Sequence, residues 1–381
     1  MRILHLIYSS GIYGAEKYLN TLLPELKKYD IDCHLLFICP KKNISSLQEY
    51  CNEMNEKGIK TTLLPTTSQM SFLFTARIIF RYLKANNIRI VHSHLFSADL
   101  IAVLIKKLYF KKLVILSTKH GYEEEYLVQY GLGNKKIRHN IYYYISRSVN
   151  KRIDNSFAVS QGISDMYELL KHGKPKMKYI HHGVSPLPLN VKQADVDGDP
   201  KIIIIGRLSQ MKGHEYLIKA LPAVIQKFPK LKLIILGEGA LKERLKKLAK
   251  SLNVHQHIEF AGFALPGSYI PQCEVMVLPS LFEPFGLVYI ESFVSKIPVI
   301  AFDTQAANEI IDDNKTGILV HKLSIDMLAE KIIYLLENPD ERRRITENAY
   351  SKYLDYYKLD RMAKETVEWY KSALSNVENN L

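Results

Sequence analysis

Short apolar runs alternate with segments of helical periodicity along nearly the whole chain of 381 residues. In the first half the apolar runs are RILHLIY, DCHLLFIC, IKTTLLP, IRIVHSH, KLVILSTKHG, NSFAVS and KMKYIHHGV, and in the second half they are KIIIIG, LKLIILG, HIEFAG, CEVMVLPS and IPVIAF. Runs of this kind, each followed by a helix-period segment, are typical of βαβ units. Because parallel strands are joined by crossover helices, the pattern predicts an α/β fold of doubly wound parallel sheets with helices on both faces.

One stretch interrupts this alternation and predicts a domain boundary. SPLPLNVKQADVDGDP, residues 185–200, is rich in proline, aspartate and small residues and has no apolar period, which is typical of a linker. We therefore predict a Rossmann-like domain over residues 1–185, a linker over 186–200 and a second Rossmann-like domain over 201–355. The tail from about Arg342 is helical by its periodicity, and its aromatic stripe is typical of core packing.

The composition indicates a folded protein with a strongly basic charge balance. Apolar residues make up 47% and charged residues 24% of the chain, as in ordinary globular domains. The formal net charge is +13. Such a surplus of positive charge can bind nucleic acid, an anionic membrane surface or phosphorylated small molecules. The alternative is that it reflects solvated lysines that have no partner.

The cysteines and the apolar runs predict a cytosolic protein. Cys33, Cys39, Cys51 and Cys273 form no CxxC pair, so free thiols in a reducing compartment are expected. No apolar run approaches the length of about 18 residues that a membrane span needs. The start, MRILHLIYSS, lacks a cleavage-site pattern and is expected to be a strand rather than a signal peptide.

Two cations follow the first strand of the second half. In KIIIIGRLSQMKG, Arg207 comes directly after the apolar run and Lys212 lies where the next helix opens. Ligands bind at the carboxyl ends of strands in doubly wound sheets, and a guanidinium, an ammonium and a helix N-terminus together suit a diphosphate. The alternative is an ordinary solvated turn. In the GEG that follows the next strand, Gly237 allows close backbone approach to a nucleotide, or simply forms a tight turn.

The segment LPSLFEPFGLVYIESF places two glutamates around a turn and a helix start. Glu283 is expected at the mouth of the strand-end crevice, and Glu291 about a turn and a half further along the helix. Each carboxylate can accept hydrogen bonds from a pair of sugar hydroxyls. Because the N–H groups of Phe285, Gly286 and Leu287 point toward an anion, a phosphate fits between the two sugars. Sugar, diphosphate and ribose together make a nucleotide sugar.

The order and spacing of these motifs resemble the family 4 retaining glycosyltransferases, which have the two-domain GT-B fold. In the second half the motifs are GRLSQMKG, GEG, FAGF, VLPSLFEPFGLVYIESF and TGILV, and in the first half they are SSGIYGAEKYL, HSHLFSA, TKHG and AVSQGISD. The resemblance covers nearly the whole chain. It implies that two Rossmann-like domains face each other across a cleft.

The resemblance also implies roles for residues of the second domain. Arg207 and Lys212 would hold and neutralise the leaving diphosphate, Glu283 would contact the donor sugar, and Glu291 would contact the ribose. Phe263 would lie where the backbone meets the nucleobase.

In the first domain the resemblance implies two donor contacts and an acceptor site. Gly14 would let a backbone N–H reach phosphate, and His120 would line the pocket of the donor sugar. This domain would bind the acceptor, and a final helix over residues 356–381 would cross back onto it.

The implied reaction is transfer of a sugar with retention of its anomeric configuration, without a cofactor or a required metal. The donor would be a UDP- or GDP-linked sugar, and the acceptor a saccharide or a lipid-linked molecule in cell-surface polysaccharide or glycolipid assembly. The transition state needs cations around a departing diphosphate. No separate enzymic base is expected, because a phosphate oxygen of the leaving group can take the acceptor's proton.

Two motifs raise the question of a metal site. His92 and His94 form an HxH at a strand end, but no carboxylate or third histidine lies at a useful spacing, which favours a structural or acceptor-facing role. The DVDGD segment holds Asp195, Asp197 and Asp199. Its place before a strand and the following proline favour a solvated linker over a metal loop.

The basic segments LIKKLYFKKL and GNKKIRHNIYYYISRSVNKR interleave cations with apolar and aromatic residues. They indicate either peripheral contact with the inner membrane or amphipathic helices with a solvated face. The alternatives to a transferase are a GT-B-like sugar-nucleotide epimerase, a phosphorylase and a non-enzymatic basic binding protein. We expect no nucleic-acid partner, because no recognisable nucleic-acid-binding motif is present.

Overall fold

The computed structural model describes residues 1–67, 71–121, 141–171, 177–186 and 199–378. The chain divides into two units. The first unit consists of Met1–Gly183 together with Leu359–Leu381, and the second unit is Val184–Lys358. The C-terminal segment therefore belongs to the first unit.

Six strands of the described residues form the sheet of the first unit. They are β1 (Arg2–Tyr8), β2 (Asp32–Pro40), β3 (Lys60–Thr66), β4 (Ile90–His94), β5 (Val114–Lys119) and β6 (Asn155–Ala158). All pair in parallel in the order β3-β2-β1-β4-β5-β6. Chain order reverses between β1 and β4, so the carboxyl ends of these two neighbours flank the position where doubly wound sheets bind ligands.

The second unit repeats this topology. Its strands are β7 (Lys201–Ile205), β8 (Lys232–Leu236), β9 (Ile258–Gly262), β10 (Val275–Leu278), β11 (Val299–Phe302) and β12 (Ile318–Val320). They are parallel in the order β12-β11-β10-β7-β8-β9. Here chain order reverses between β7 and β10.

Helices connect the strands of both sheets. In the described residues they are α1 (Gly14–Lys27), α2 (Ile44–Glu56), α3 (Phe72–Ala85), α4 (Phe96–Leu108), α5 (Ile141–Asn150), α6 (Gln161–Leu169), α7 (His214–Lys227), α8 (Lys242–Ser251), α9 (Pro266–Tyr269), α10 (Leu287–Val294), α11 (Gln305–Ile310), α12 (Ile325–Glu337), α13 (Pro339–Tyr356) and α14 (Leu359–Glu378). Together with the two sheets they confirm the predicted doubly wound α/β fold.

Amphipathic faces place these helices on both sides of the first sheet. Leu19, Leu22, Leu23 and Leu26 are fully buried at helical spacing on α1, and each such burial is worth about 2 kcal/mol. They share one core with residues of α2 and α14. A second core on the opposite face contains residues of α3, α4 and α5. The last helix of the chain is thus part of the core of the first unit and packs against α1.

One expectation about secondary structure is wrong in detail. KMKYIHHGV is expected to be a strand, but its described part makes only isolated bridges, from Tyr179 to Ala158 and from Val184 to Lys358. The tail is helical as expected, and it consists of two helices, because α13 ends before Tyr357 and α14 begins at Leu359. The carbonyl of Tyr357 accepts a hydrogen bond from the N–H of Val184, so a partner distant in sequence interrupts the helix.

Some sequence expectations lie outside the described residues. These are Asp195 and Asp197, most of the predicted linker and the first part of the basic segment before α5. Within the residues that are described, no helix is both long enough and apolar enough to cross a membrane.

Candidate functional site

Three residues of the predicted donor site follow the two strands between which chain order reverses in the second sheet. Arg207 follows β7 after one glycine and is exposed, and Lys212 ends a 3₁₀ turn over Gln210–Lys212. Glu283 lies between β10 and α10. Because β7 and β10 are hydrogen-bonded neighbours, the structure brings Lys212 and Glu283 into contact across 71 positions of sequence.

A close approach of two loops fixes the position of Lys212. Gly213 has a left-handed φ of 70°, and a Cβ there would lie 1.8 Å from the carbonyl oxygen of Pro279. The N–H of Leu281 donates to the carbonyl of Met211 at 2.7 Å. The loops after β7 and β10 are therefore joined by backbone contacts that tolerate only glycine at position 213.

Lys212 and Glu283 form a partly buried ion pair. The distance from Lys212 Nζ to Glu283 Oε1 is 2.5 Å. The side chain of Lys212 is 25% exposed and that of Glu283 is 10% exposed. Ser280 donates a hydrogen bond from Oγ to the same carboxylate oxygen at 2.9 Å. Burial raises the pKa of Tyr289, and the negative charge of Glu283 raises it further. The carboxylate is thus held by an ammonium and a hydroxyl at the carboxyl end of β10.

The helix α10 begins beside this ion pair. Gly286 is its N-cap with a φ of 93°, and a Cβ there would meet the ring of Tyr289 at 2.4 Å. Phe285 is buried, and Leu287 is the first, partly exposed residue of the helix. Glu291 is partly exposed further along the same helix. A helix N-terminus next to a lysine favours an anion.

Glycines also bring the loop after β8 against the loop after β7. Gly237 has a φ of 144°, and a Cβ there would lie 2.0 Å from the carbonyl oxygen of Gly206. The N–H of Leu208 donates to the carbonyl of Glu238 at 3.0 Å. Beyond the end of β9, Phe263 is 86% exposed. The residues predicted around a nucleotide therefore follow successive strands at one edge of the second sheet.

Two further predicted residues belong to the first unit. Gly14 is the first residue of α1, is exposed, and has nothing within 4 Å of where a Cβ would lie. His120 follows β5 and is partly exposed, and its Nε2 lies 3.0 Å from Nδ1 of His94. Both residues follow strands at the carboxyl edge of the first sheet.

The structure places a histidine and a serine, His5 and Ser280, beside predicted site residues, although no sequence motif indicates these contacts. The expectation that no third histidine accompanies His92 and His94 is wrong, because the β1–β4 register places His5 opposite His92. One nitrogen from each of these three rings lies within 4.8 Å of the others. The available signal was the doubly wound strand order, which makes β1 and β4 neighbours. For Ser280 the signal was a hydroxyl three positions before Glu283.

Two family models match the chain in succession. A model described as Glycosyltransferase Family 4 matches residues 12–186, and a model described as Glycosyl transferases group 1 matches residues 189–352. Together with the two doubly wound units, these matches define a glycosyltransferase of the two-domain GT-B type. The chain belongs to family 4 of the glycosyltransferases.

The chain is also similar to individual proteins. It is 32% identical to an uncharacterized glycosyltransferase of Methanocaldococcus jannaschii over 52% of this chain and 55% of that protein, so the match spans about half of that relative. It is 25% identical to the alpha-monoglucosyldiacylglycerol synthase of Streptococcus pneumoniae over 98% of this chain and 85% of that protein. A crystal structure of an Anabaena protein in complex with UDP and glucose has a TM-score of 0.79 at 18% identity, covering 98% of this chain and all of that one. At that identity the likeness shows the fold alone.

Proposed function

We propose that this chain is a retaining glycosyltransferase that moves a sugar from a UDP- or GDP-linked donor to a hydroxyl of an acceptor. The observation that carries the proposal is the ion pair of Lys212 and Glu283 beside the N-terminus of α10, where strand order reverses. Cations and helix N–H groups suit the diphosphate of such a donor, and carboxylates suit its hydroxyls.

In this mechanism the bond between the anomeric carbon and the diphosphate oxygen breaks. The acceptor oxygen bonds to the same face of the sugar, and its proton passes to a phosphate oxygen of the leaving group. Negative charge develops on the diphosphate, where Arg207 and Lys212 stabilise it. Preorganised groups of this kind contribute about 10²- to 10³-fold each to turnover, and no metal is required.

Donor binding includes an exchange of partners at Lys212. The ammonium pairs with Glu283 in this structure, so an arriving diphosphate competes with that carboxylate. Once displaced, Glu283 can accept hydrogen bonds from hydroxyls of the donor sugar. The same residue therefore compensates the charge of Lys212 before donor binding and orients the sugar afterwards.

We propose a lipid-linked or saccharide acceptor in cell-surface polysaccharide or glycolipid assembly, met at the cytoplasmic face of the membrane. The similarity to the glycolipid synthase of Streptococcus pneumoniae supports this class of acceptor.

Exposed apolar side chains of the first unit support contact with a membrane. Phe72, Leu73 and Phe74 at the start of α3 are 44% to 55% exposed, and Ile141 at the start of α5 is 79% exposed. Exposed cations such as Arg77 on α3 complement anionic lipid. The described cysteines are buried free thiols, which fits a reducing compartment.

A panel of UDP- and GDP-linked sugars tests the activity. Purified protein should release free nucleoside diphosphate slowly from one donor and faster with its acceptor. If the protein released nucleoside diphosphate from none of these donors, that result would contradict the proposal. EDTA should leave the rate unchanged, and the anomeric configuration of the product, read by NMR, should match that of the donor.

Sedimentation with vesicles tests the membrane contact. The chain should pellet with vesicles that contain anionic phosphatidylglycerol and remain in solution with purely zwitterionic ones. Substituting Phe72 and Phe74 by serine should weaken that binding while leaving transfer to a soluble acceptor intact. Equal binding of the variant would place the contact elsewhere.

A further inference from the structure

Three histidine rings form a continuous hydrogen-bonded chain in the first unit. His5 Nδ1 lies 3.1 Å from His94 Nε2, and His94 Nδ1 lies 3.0 Å from His120 Nε2. The rings come from β1, β4 and the residue after β5, which are adjacent strands of the sheet. The central ring, His94, therefore uses both of its nitrogens within the chain.

Burial keeps these rings neutral. His5 and His94 are 0% exposed, and burial lowers the pKa of His5 and of His120 to about 3. The pKa of His94 lies well below its ordinary value because of burial, with additional repulsion from the neighbouring rings and from Lys119. At neutral pH each ring therefore carries one N–H and one bare nitrogen.

Counting hydrogens leaves only two arrangements. Each of the two ring–ring contacts needs one N–H and one bare nitrogen. If His94 donates from Nε2 to His5, its Nδ1 is bare and must accept from Nε2 of His120. If His94 instead accepts at Nε2, it donates from Nδ1. In the first arrangement all three rings carry hydrogen on Nε2, and in the second all three carry it on Nδ1.

We propose that His5 and His94 are positioning residues that fix which ring nitrogen of His120 carries hydrogen, so that the three rings always share one tautomer. The inference rests on the proposed function for its consequence, because His120 is the ring assigned to the donor sugar. The tautomer decides whether Nδ1 of His120, a buried atom without a hydrogen-bond partner among the described residues, carries a hydrogen or a bare lone pair. His94 thus sets the hydrogen-bonding character that His120 presents.

A metal ion is the competing explanation for the histidines here. His5, His92 and His94 bring ligand atoms within 4.8 Å of one another. However, this group of described residues contains no carboxylate, and a buried divalent cation without a negative partner is costly. His92 is already bonded through Nδ1 to the hydroxyl of Tyr370 and through Nε2 to Thr118, both at 2.7 Å. The contacts and the charge balance favour the neutral chain.

Long-range ¹H–¹⁵N correlation spectra of protein labelled at histidine test the tautomers directly. Signals are assigned by comparison with single-histidine variants. His5, His94 and His120 should show the same tautomer at neutral pH, without titration between pH 5 and pH 8. Different tautomers among the three rings, or a bound metal detected by elemental analysis of the purified protein, would overturn the proposal.

Variants of the central ring test the consequence for turnover. His94→Leu removes both ring contacts and should lower kcat about tenfold or more with little change in KM for the donor. His94→Asn keeps a polar group next to His120 and should recover part of that loss. Tyr370→Phe is the matched control, because it removes a hydrogen bond of His92 and leaves the chain intact.

The two readouts separate this inference from the proposed function. If the three rings share one tautomer but no sugar nucleotide is turned over, the chain exists and the proposed function fails. If transfer is observed and His94→Leu has the kcat of the parent, the positioning role is refuted while the proposed function stands.

Discussion

The ion pair of Lys212 and Glu283 is the central contact of the candidate site. The ammonium lies against Glu283, which Ser280 also holds by a hydrogen bond. The motif pattern predicted both charged residues at one site, since each follows a strand and the strands were expected in one sheet. The serine and His5 were not predicted, because their contacts depend on loop packing and strand register rather than on spacing along the chain.

Removing the charge of Glu283 should strengthen the binding of the free nucleoside diphosphate. In Glu283→Gln the diphosphate no longer competes with a carboxylate for Lys212. An ion pair of this exposure is worth about 1 kcal/mol, which corresponds to a Kd about fivefold lower. Calorimetric titration with UDP and GDP measures the change. Sugar transfer should fall in the same variant because an orienting contact is weakened, and unchanged or weaker diphosphate binding would contradict the exchange of partners.

Truncation of Lys212 or of Glu291 should abolish sugar transfer without unfolding the chain. Lys212→Ala removes the cation proposed to stabilise the leaving diphosphate, and Glu291→Ala removes the proposed ribose contact. We expect kcat/KM to fall about 10²-fold or more in each. The control is Lys227→Ala, which breaks an exposed ion pair with Glu337 on α12. Near-normal transfer by either site variant would refute the assigned role.

At the scale of elements, most strands were predictable, whereas β12 and the break between the last two helices were not. Buried parallel strands appear as continuous apolar runs in a sequence, so such runs alone were enough to predict β1, β2, β7 and β8. The break between α13 and α14 has no glycine or proline at Tyr357 or Lys358. It depends on the hydrogen bond from Val184, a contact that no local pattern encodes.

Two glycines at helix starts should respond differently to the same substitution. Gly213→Ala places a Cβ against the carbonyl of Pro279 at a left-handed φ, so we expect a loss of about 2 to 3 kcal/mol in the free energy of unfolding. Gly14→Ala meets nothing within 4 Å and should keep the stability of the parent. If phosphate approaches the backbone at Gly14, that variant should raise KM for the donor instead. Urea unfolding and donor kinetics on both variants separate the two effects, and equal stability of the two would contradict the packing assigned to Gly213.

At the scale of the whole molecule, the two units share a topology but differ in what they bury. The first unit encloses His5, His92 and His94 at 0% exposure. The single tryptophan of the chain, Trp369, packs in the same core with its ring centroid 5.5 Å from that of His92. Its fluorescence therefore reports on the unit that contains the buried histidines.

These buried rings should make the first unit lose stability in mild acid. Burial lowers the pKa of His5 to about 3 and places those of His92 and His94 well below their ordinary value, whereas unfolding returns each to about 6.5. Below pH 6.5 the unfolded chain binds protons that the folded chain excludes, so proton binding stabilises the unfolded state as the pH falls. Each ring then lowers the free energy of unfolding by about 1 kcal/mol between pH 6.5 and pH 5.5.

Urea titrations followed by tryptophan fluorescence at pH 7.5, 6.5 and 5.5 should show this decline in the free energy of unfolding. The control variant His255→Gln, which changes an exposed ring, should show the same decline. A free energy of unfolding that stays constant over this range would mean that the rings are charged or accessible in the folded protein, which contradicts both their burial and the neutral chain inferred from it.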